Sequence, residues 1–150
     1  MTKYPIEKMA AIIEELFKNG RNATVTVTGH SMSPMLYNNR SSVVLKKADP
    51  DKIKKYDVIF YKRRNGEYVL HRVVKLNDGT VNCCGDNETT VERAVKKENI
   101  IGVVIAFRRK GDLIGCNNFF YKIYCVLWVV LLKQRRRIMK LNKKLRGKKQ

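Results

Sequence analysis

Acidic residues are scarce in this 150-residue chain, 13 against 32 Lys and Arg. Residues 113–150 have none of them and hold 11 of the basic groups. Much of the formal charge of +19 therefore sits at the C-terminal end, which is a separate electrostatic object. Histidine is limited to His30 and His71. The four cysteines, Cys83, Cys84, Cys116 and Cys125, include no pair at the two-residue gap of zinc or thioredoxin-like sites. No metal and no cofactor are expected, and the absence of a disulfide framework favours a reducing compartment. The vicinal Cys83-Cys84 pair is expected on opposite faces of one strand. A secretory signal is also not expected at the start, because Glu7, Lys8, Glu14 and Glu15 interrupt any apolar core before Gly20. No internal repeat is visible.

Length and a 44% hydrophobic content suit one domain able to bury a core. Ile6, Met9, Ala10, Ile12, Ile13, Leu16 and Phe17 recur at helical spacing, so residues 5–18 read as an amphipathic helix, with Pro5 in its first turn and Gly20 at its end. Its apolar face is expected on the chain's own core, with a membrane surface or a partner as the alternative. From residue 23 the period becomes that of strands: 23–28, 42–45, 57–61, 68–76, 80–84 and 100–107. Asn65-Gly66 and Asp78-Gly79 are hairpin signals, and Asp49-Pro50 and Gly85-Asp86-Asn87 are further turns. The class is mainly β, a small antiparallel domain with an N-terminal amphipathic helix and a C-terminal helix. Three regions follow: helix 1–20, β domain 21–112, and apolar helix with basic tail 113–150.

Residues 114–132 are rich in Phe, Tyr, Val and Leu but carry Asn117, Asn118 and Lys122. At about 1.5 Å per residue, such a helix only just reaches across a hydrocarbon layer of roughly 30 Å. Followed by Lys133, Arg135, Arg136 and Arg137, it suggests contact between residues 114–150 and an anionic membrane surface. Packing on the β domain with a solvated tail is the competing expectation.

The chemistry-bearing residues are few. Ser31, in Gly29-His30-Ser31-Met32-Ser33-Pro34, puts a hydroxyl at a strand-to-turn junction, and His71, in Leu70-His71-Arg72-Val73-Val74, puts an imidazole on a strand. Neutral imidazole within hydrogen-bond reach lets a serine attack a carbonyl, so the pair points to acyl transfer, most simply peptide hydrolysis. His30 adjoins Ser31 but should face away along an extended chain, which leaves His71 as the base. Asp86, in the turn at 85–87, is the candidate to orient His71 through its second ring nitrogen.

The order of these segments, with Tyr56-Asp57-Val58-Ile59 and Ile101-Gly102-Val103-Val104 in place, resembles the type I signal peptidases and the related S24/S26 serine peptidases over roughly residues 23–107. The resemblance implies a signal-peptidase-type β domain, Ser31 as nucleophile and, from histidine at the base position, the Ser-His branch of endoplasmic-reticulum and archaeal type. It carries a role in activity onto Asp86 and implicates a second acid six positions later, where this chain has Glu92 instead of aspartate. Tyr56 stands where the family usually has glycine. Gly29 stands where some members place a serine that holds the oxyanion, so the backbone amides of Gly29, Ser31 and Met32 are expected to do so.

The leading expectation is a serine endopeptidase that cuts an extended peptide or preprotein after a small residue, membrane-associated through its C-terminal segment or else cytoplasmic. One alternative is a self-cleaving, repressor-like peptidase. Another is a non-enzymatic basic module for nucleic acid or anionic lipid, although nucleic acid is not the expected partner.

Overall fold

The computed structural model describes residues 6–147. Helix α1 (Ile6–Lys18) is followed by strands β1 (Ala23–Thr26), β2 (Ser42–Lys47), β3 (Val58–Lys62), β4 (Tyr68–Leu76), β5 (Thr80–Cys84), β6 (Glu92–Lys96), β7 (Ile100–Arg109) and β8 (Asp112–Gly115), then helices α2 (Phe119–Val130) and α3 (Leu132–Gly147). All pairings are antiparallel, in the order β1-β2-β7-β3-β4-β5-β6, with β8 beside the far end of β7. This is the mainly antiparallel fold with flanking helices that the strand periodicity predicts.

The six expected strands are present, and Asn65-Gly66 and Asp78-Gly79 close the β3–β4 and β4–β5 hairpins with both glycines at positive φ. Two strands are additional, β6 and β8. The boundary expected at 112 therefore falls inside β8, and the expected helix from 114 starts only at Phe119, where the Asn118 side chain accepts from Tyr121 N–H. The basic tail is helical, as α3. Among the described residues no helix is long and apolar enough to cross a membrane, and 114–132, where the sequence leaves a span open, is not one continuous helix. The interruption at Asn117-Asn118 is the physical reason, since asparagine caps a helix better than it continues one.

Side-chain alternation gives the sheet two apolar faces. On one, α1 sets Ala10, Ile13 and Phe17 against Val43, Leu45, Val58, Phe60 and Val104. Ile13 and Phe17 contribute about 1.5–3 kcal/mol each by burial. Ile12, expected on this face, is 52% exposed, being off the 9, 10, 13, 16, 17 stripe. A Cβ on Gly102 would stand 3.2 Å from the Phe17 ring, so the helix crosses β7 closely at its glycine. Pro5 lies outside the described residues. Ile59, Tyr61, Val73, Val81 and Cys83 form the second face, which places Cys83 there. α2 adds Tyr121 and Cys125 to the first core, with the Tyr121 ring 4.9 Å from that of Phe107.

Candidate active site

The serine turn is built by its downstream neighbours. After β1 the chain reverses at Gly29, φ +86°, and then makes a helical turn in which Leu36 N–H donates to Met32 C=O at 2.9 Å. Met32, Met35 and Leu36 are all but fully buried, spaced i, i+3, i+4, and they pin the turn to the core. Ser31 itself is half-buried and opens onto a cleft of about 120 Å³. The other walls are residues 25–28, at the end of β1 and just beyond it, and 68–70 of β4, with Met9 and Phe60. Among the described residues both strands have unpaired edges, since β1 pairs only with β2 and β4 pairs with β5 only from Arg72 onward.

Amides near Ser31 differ in availability. Gly29 N–H, expected among the oxyanion donors, is given to Asn38 Oδ1 at 3.0 Å. That is a correction, and it has a physical reason: an amide already bonded to a side-chain oxygen has no proton left to aim at a developing charge. The N–H groups of Ser31 and Met32 donate to nothing among the described residues.

His71 is 1% exposed, in the middle of β4. Its Nδ1 lies 3.3 Å from Glu92 Oε1 and 3.3 Å from Tyr61 Oη, and its Nε2 lies 3.5 Å from Glu88 Oε1. Arg63 holds Glu92 from the other side, its Nε donating to Glu92 Oε1 at 2.9 Å, with a second bond from Nη2. The Tyr61 phenol is pushed well above its ordinary pKa, by burial first and then by the negative groups around it, so it remains a neutral donor. Glu88 is held below its ordinary value, chiefly by its bond to His71, and is the ionised member at Nε2.

Asp86 is elsewhere. Its carboxylate accepts from Arg72 Nε and Nη2, both at 2.8 Å, and from Tyr124 Oη at 3.0 Å, so the contact expected with His71 is not made. Alternation decides this. Arg72 and His71 point to opposite faces of β4, Arg72 is opposite Cys84, and Asp86 follows Cys84 by two residues on the Arg72 side. Arg72 also donates to Tyr56 C=O at 3.0 Å and Tyr121 Oη at 3.2 Å. Tyr56 holds φ +81°, a conformation that favours glycine, which accounts for the glycine usual at this place in the resembled family.

The segment 85–92 joins these parts. Asn87 N–H donates to Ser31 C=O at 2.8 Å and Asn87 Nδ2 to His30 C=O at 3.2 Å. A Cβ on Gly85 would stand 2.7 Å from Ser31 O and 2.9 Å from Glu88 Cγ, so only glycine lets the turn lie against the serine. Ser31 and His71 are thus each in contact with one eight-residue stretch, while among the described residues no hydrogen bond joins them and the Ser31 hydroxyl makes none. The exposed His30 uses its carbonyl, not a ring contact, in this network. Sequence reasoning missed Glu88 and Tyr61. Tyr61 was within reach of it: Ile59 opposes His71, and Tyr61, two residues on, shares that face.

A family model described as Peptidase S24-like matches residues 2–105, the stretch that holds both the serine turn and the 85–92 segment. No curated protein matches the chain.

Proposed function

The chain belongs to the S24-like peptidases, a family of serine peptidases, and on that premise we propose that it is a Ser-His endopeptidase of signal-peptidase type, cleaving an extended peptide or preprotein after a small side chain. The observation that carries this is the imidazole of His71 with Glu92 at Nδ1, tied through residues 85–92 to a serine at the mouth of a cleft. Ser31 Oγ attacks the scissile carbonyl as His71 Nε2 takes its proton; the proton then passes to the leaving amine. Water hydrolyses the acyl-serine in the same way, and the proton it gives up restores Ser31. Glu92 orients the ring and stabilises its cationic form, the role first given to Asp86. Glu88 stands at the nitrogen the serine has to reach, so peptide binding has to displace it.

The two unpaired edges beside the cleft suit a peptide added as a strand, and a cleft this small suits a small side chain next to the cut. Oxyanion stabilisation falls to the Ser31 and Met32 amides. The test is hydrolysis of a peptide library with small residues at the cut by the wild type, Ser31→Ala and His71→Ala. Activity is expected to vanish in both variants. Full activity in either variant ends the mechanism. Conversion of the purified chain to two fragments, absent in Ser31→Ala, would move the assignment to a self-cleaving peptidase.

A further inference from the structure

The face of α2 and α3 that points away from the β domain is apolar along most of its length, with the exposed Gln134 as its one polar member. The two helices are joined at Leu131 (φ −82°, ψ 8°), where Leu131 N–H donates to Leu127 C=O and Arg135 N–H to Leu131 C=O, both at 2.9 Å, while the Trp128 carbonyl accepts from the Arg135 guanidinium. Together they make about 43 Å of helix. At 100° per residue, Phe120, Leu127, Val130, Ile138, Leu141 and Leu145 fall within one stripe about 100° wide, and each is more than half exposed. Tyr121, Cys125, Trp128 and Arg135 fall on the opposite side and make the contacts with the domain.

Charge selects what covers the stripe. Residues 119–147 contain no acidic group, and Lys133, Arg137, Lys140 and Lys144 border the stripe along one side. A second copy would bring the same positive field against itself, on a chain of formal charge +19. Nucleic acid would satisfy the charge and leave the apolar side chains in water. An anionic bilayer satisfies both, with leucine, isoleucine and phenylalanine entering the acyl boundary and long basic side chains reaching phosphates. No described helix can cross a membrane, so the arrangement suits lying in the interface. We propose that α2–α3 is an amphipathic docking helix that holds this chain on the surface of an anionic lipid bilayer by the stripe of Phe120, Leu127, Val130, Ile138, Leu141 and Leu145.

The helix is also joined to the proposed catalytic segment. Trp128 Nε1 donates to Asp86 C=O at 3.1 Å, Arg135 Nη1 to the same oxygen at 2.9 Å, and Arg136 Nε to Thr89 C=O. Docking would therefore tie the 85–92 segment to a helix that lies on the bilayer.

The test uses the full chain and vesicles of phosphatidylcholine alone against vesicles containing about a third phosphatidylglycerol. Co-sedimentation is expected with the anionic vesicles only and is expected to weaken as salt rises. Phe120→Ser with Leu127→Ser, and separately Lys140→Glu with Lys144→Glu, should each lower it about tenfold or more, with unchanged circular dichroism because all four side chains are exposed. No binding to anionic vesicles overturns the proposal, as does binding untouched by the serine pair. Concentration-dependent self-association lost in the serine pair assigns the stripe to a second copy instead, and salt-sensitive DNA binding that the serine pair leaves intact, without vesicle binding, assigns the face to nucleic acid. Vesicle binding by Ser31→Ala should equal that of wild type, which separates this result from the peptidase reading.

Discussion

Replacing Asp86 by alanine tests whether this carboxylate is a folding element or a member of the catalytic group. Arg72 and Asp86 are each 1% exposed and joined by two bonds of 2.8 Å. Removing one partner leaves a guanidinium buried without its counter-charge, while Tyr121 Oη and the Tyr56 carbonyl, which also accept from it, carry no full negative charge. Breaking such a pair costs about 3–5 kcal/mol. With a urea dependence of about 2 kcal/mol per M, the unfolding midpoint should fall by about 2 M. Arg72→Met with Asp86→Asn should recover a large part of this, since a neutral pair has no charge to desolvate, and the double-mutant cycle should give a coupling of about 2 kcal/mol or more. Peptide hydrolysis per folded molecule is the companion measurement. A midpoint within about 0.3 M of wild type, together with lost hydrolysis, refutes the reasoning and returns Asp86 to the chemistry.

Glu92→Gln should show the reverse pattern, a loss of kcat of about a hundredfold or more with an unfolding midpoint near that of wild type, measured by peptide hydrolysis and urea titration. The bond from His71 that holds the Glu88 pKa down favours the folded state above the unfolded value of about 4.5, and this contribution disappears as pH falls through the lower folded value. Thermal unfolding of Glu88→Gln should therefore be less acid-sensitive than that of wild type as pH falls below about 4.5. Because Glu88 faces Nε2, the same variant should also hydrolyse peptide at least as fast as wild type near neutral pH, and a large loss would make Glu88 a participant instead of a displaceable cap. Trp128→Ala removes the ring under Arg135, 3.9 Å away, and the bond to Asp86 C=O, so amide exchange at residues 86–89 should quicken with little change in the β1–β2 pair.

The fold was legible where one period dominated. β4 and β5 match their expected limits, because alternating apolar runs end in Asn65-Gly66 and Asp78-Gly79 turns that leave little choice of register. β6 was not legible: Glu-Arg-Ala-Val-Lys is an edge strand, and edges carry charge instead of apolar alternation. β8 is four residues long and owes its place to β7 through a Lys110-Gly111 turn with both residues at positive φ. Strand parity alone separates His71 from Arg72, and one more step of pairing, Arg72 with Cys84, carries Asp86 to the arginine. Position along the chain suggested a triad; the pleat opposes it. Glu88 had no such signal, because it lies in a turn, where neither period applies.

The segment 85–92 is where the two proposals meet. At one side Asn87 and Gly85 bear on the Ser31 carbonyl, and Glu88 and Glu92 bear on the two nitrogens of His71. On the other, Trp128, Arg135 and Arg136 hold the carbonyls of Asp86 and Thr89 from a helix whose outer face is apolar and basic. Every one of these helix contacts to the turn is a donor on a backbone oxygen, so it fixes the path of the chain without adding a group to the chemistry. A lipid surface that orders α2–α3 should accordingly act on the position of Glu88 at Nε2 more than on the nucleophile, whose turn is pinned independently by Met32, Met35 and Leu36. The expected consequence is specific: anionic vesicles raise kcat on a soluble peptide in wild type, and the increase is lost both in Phe120→Ser with Leu127→Ser, which does not dock, and in Glu88→Gln, which has no carboxylate to move. An increase that persists in Glu88→Gln would mean that the bilayer acts by concentrating substrate, not through the turn.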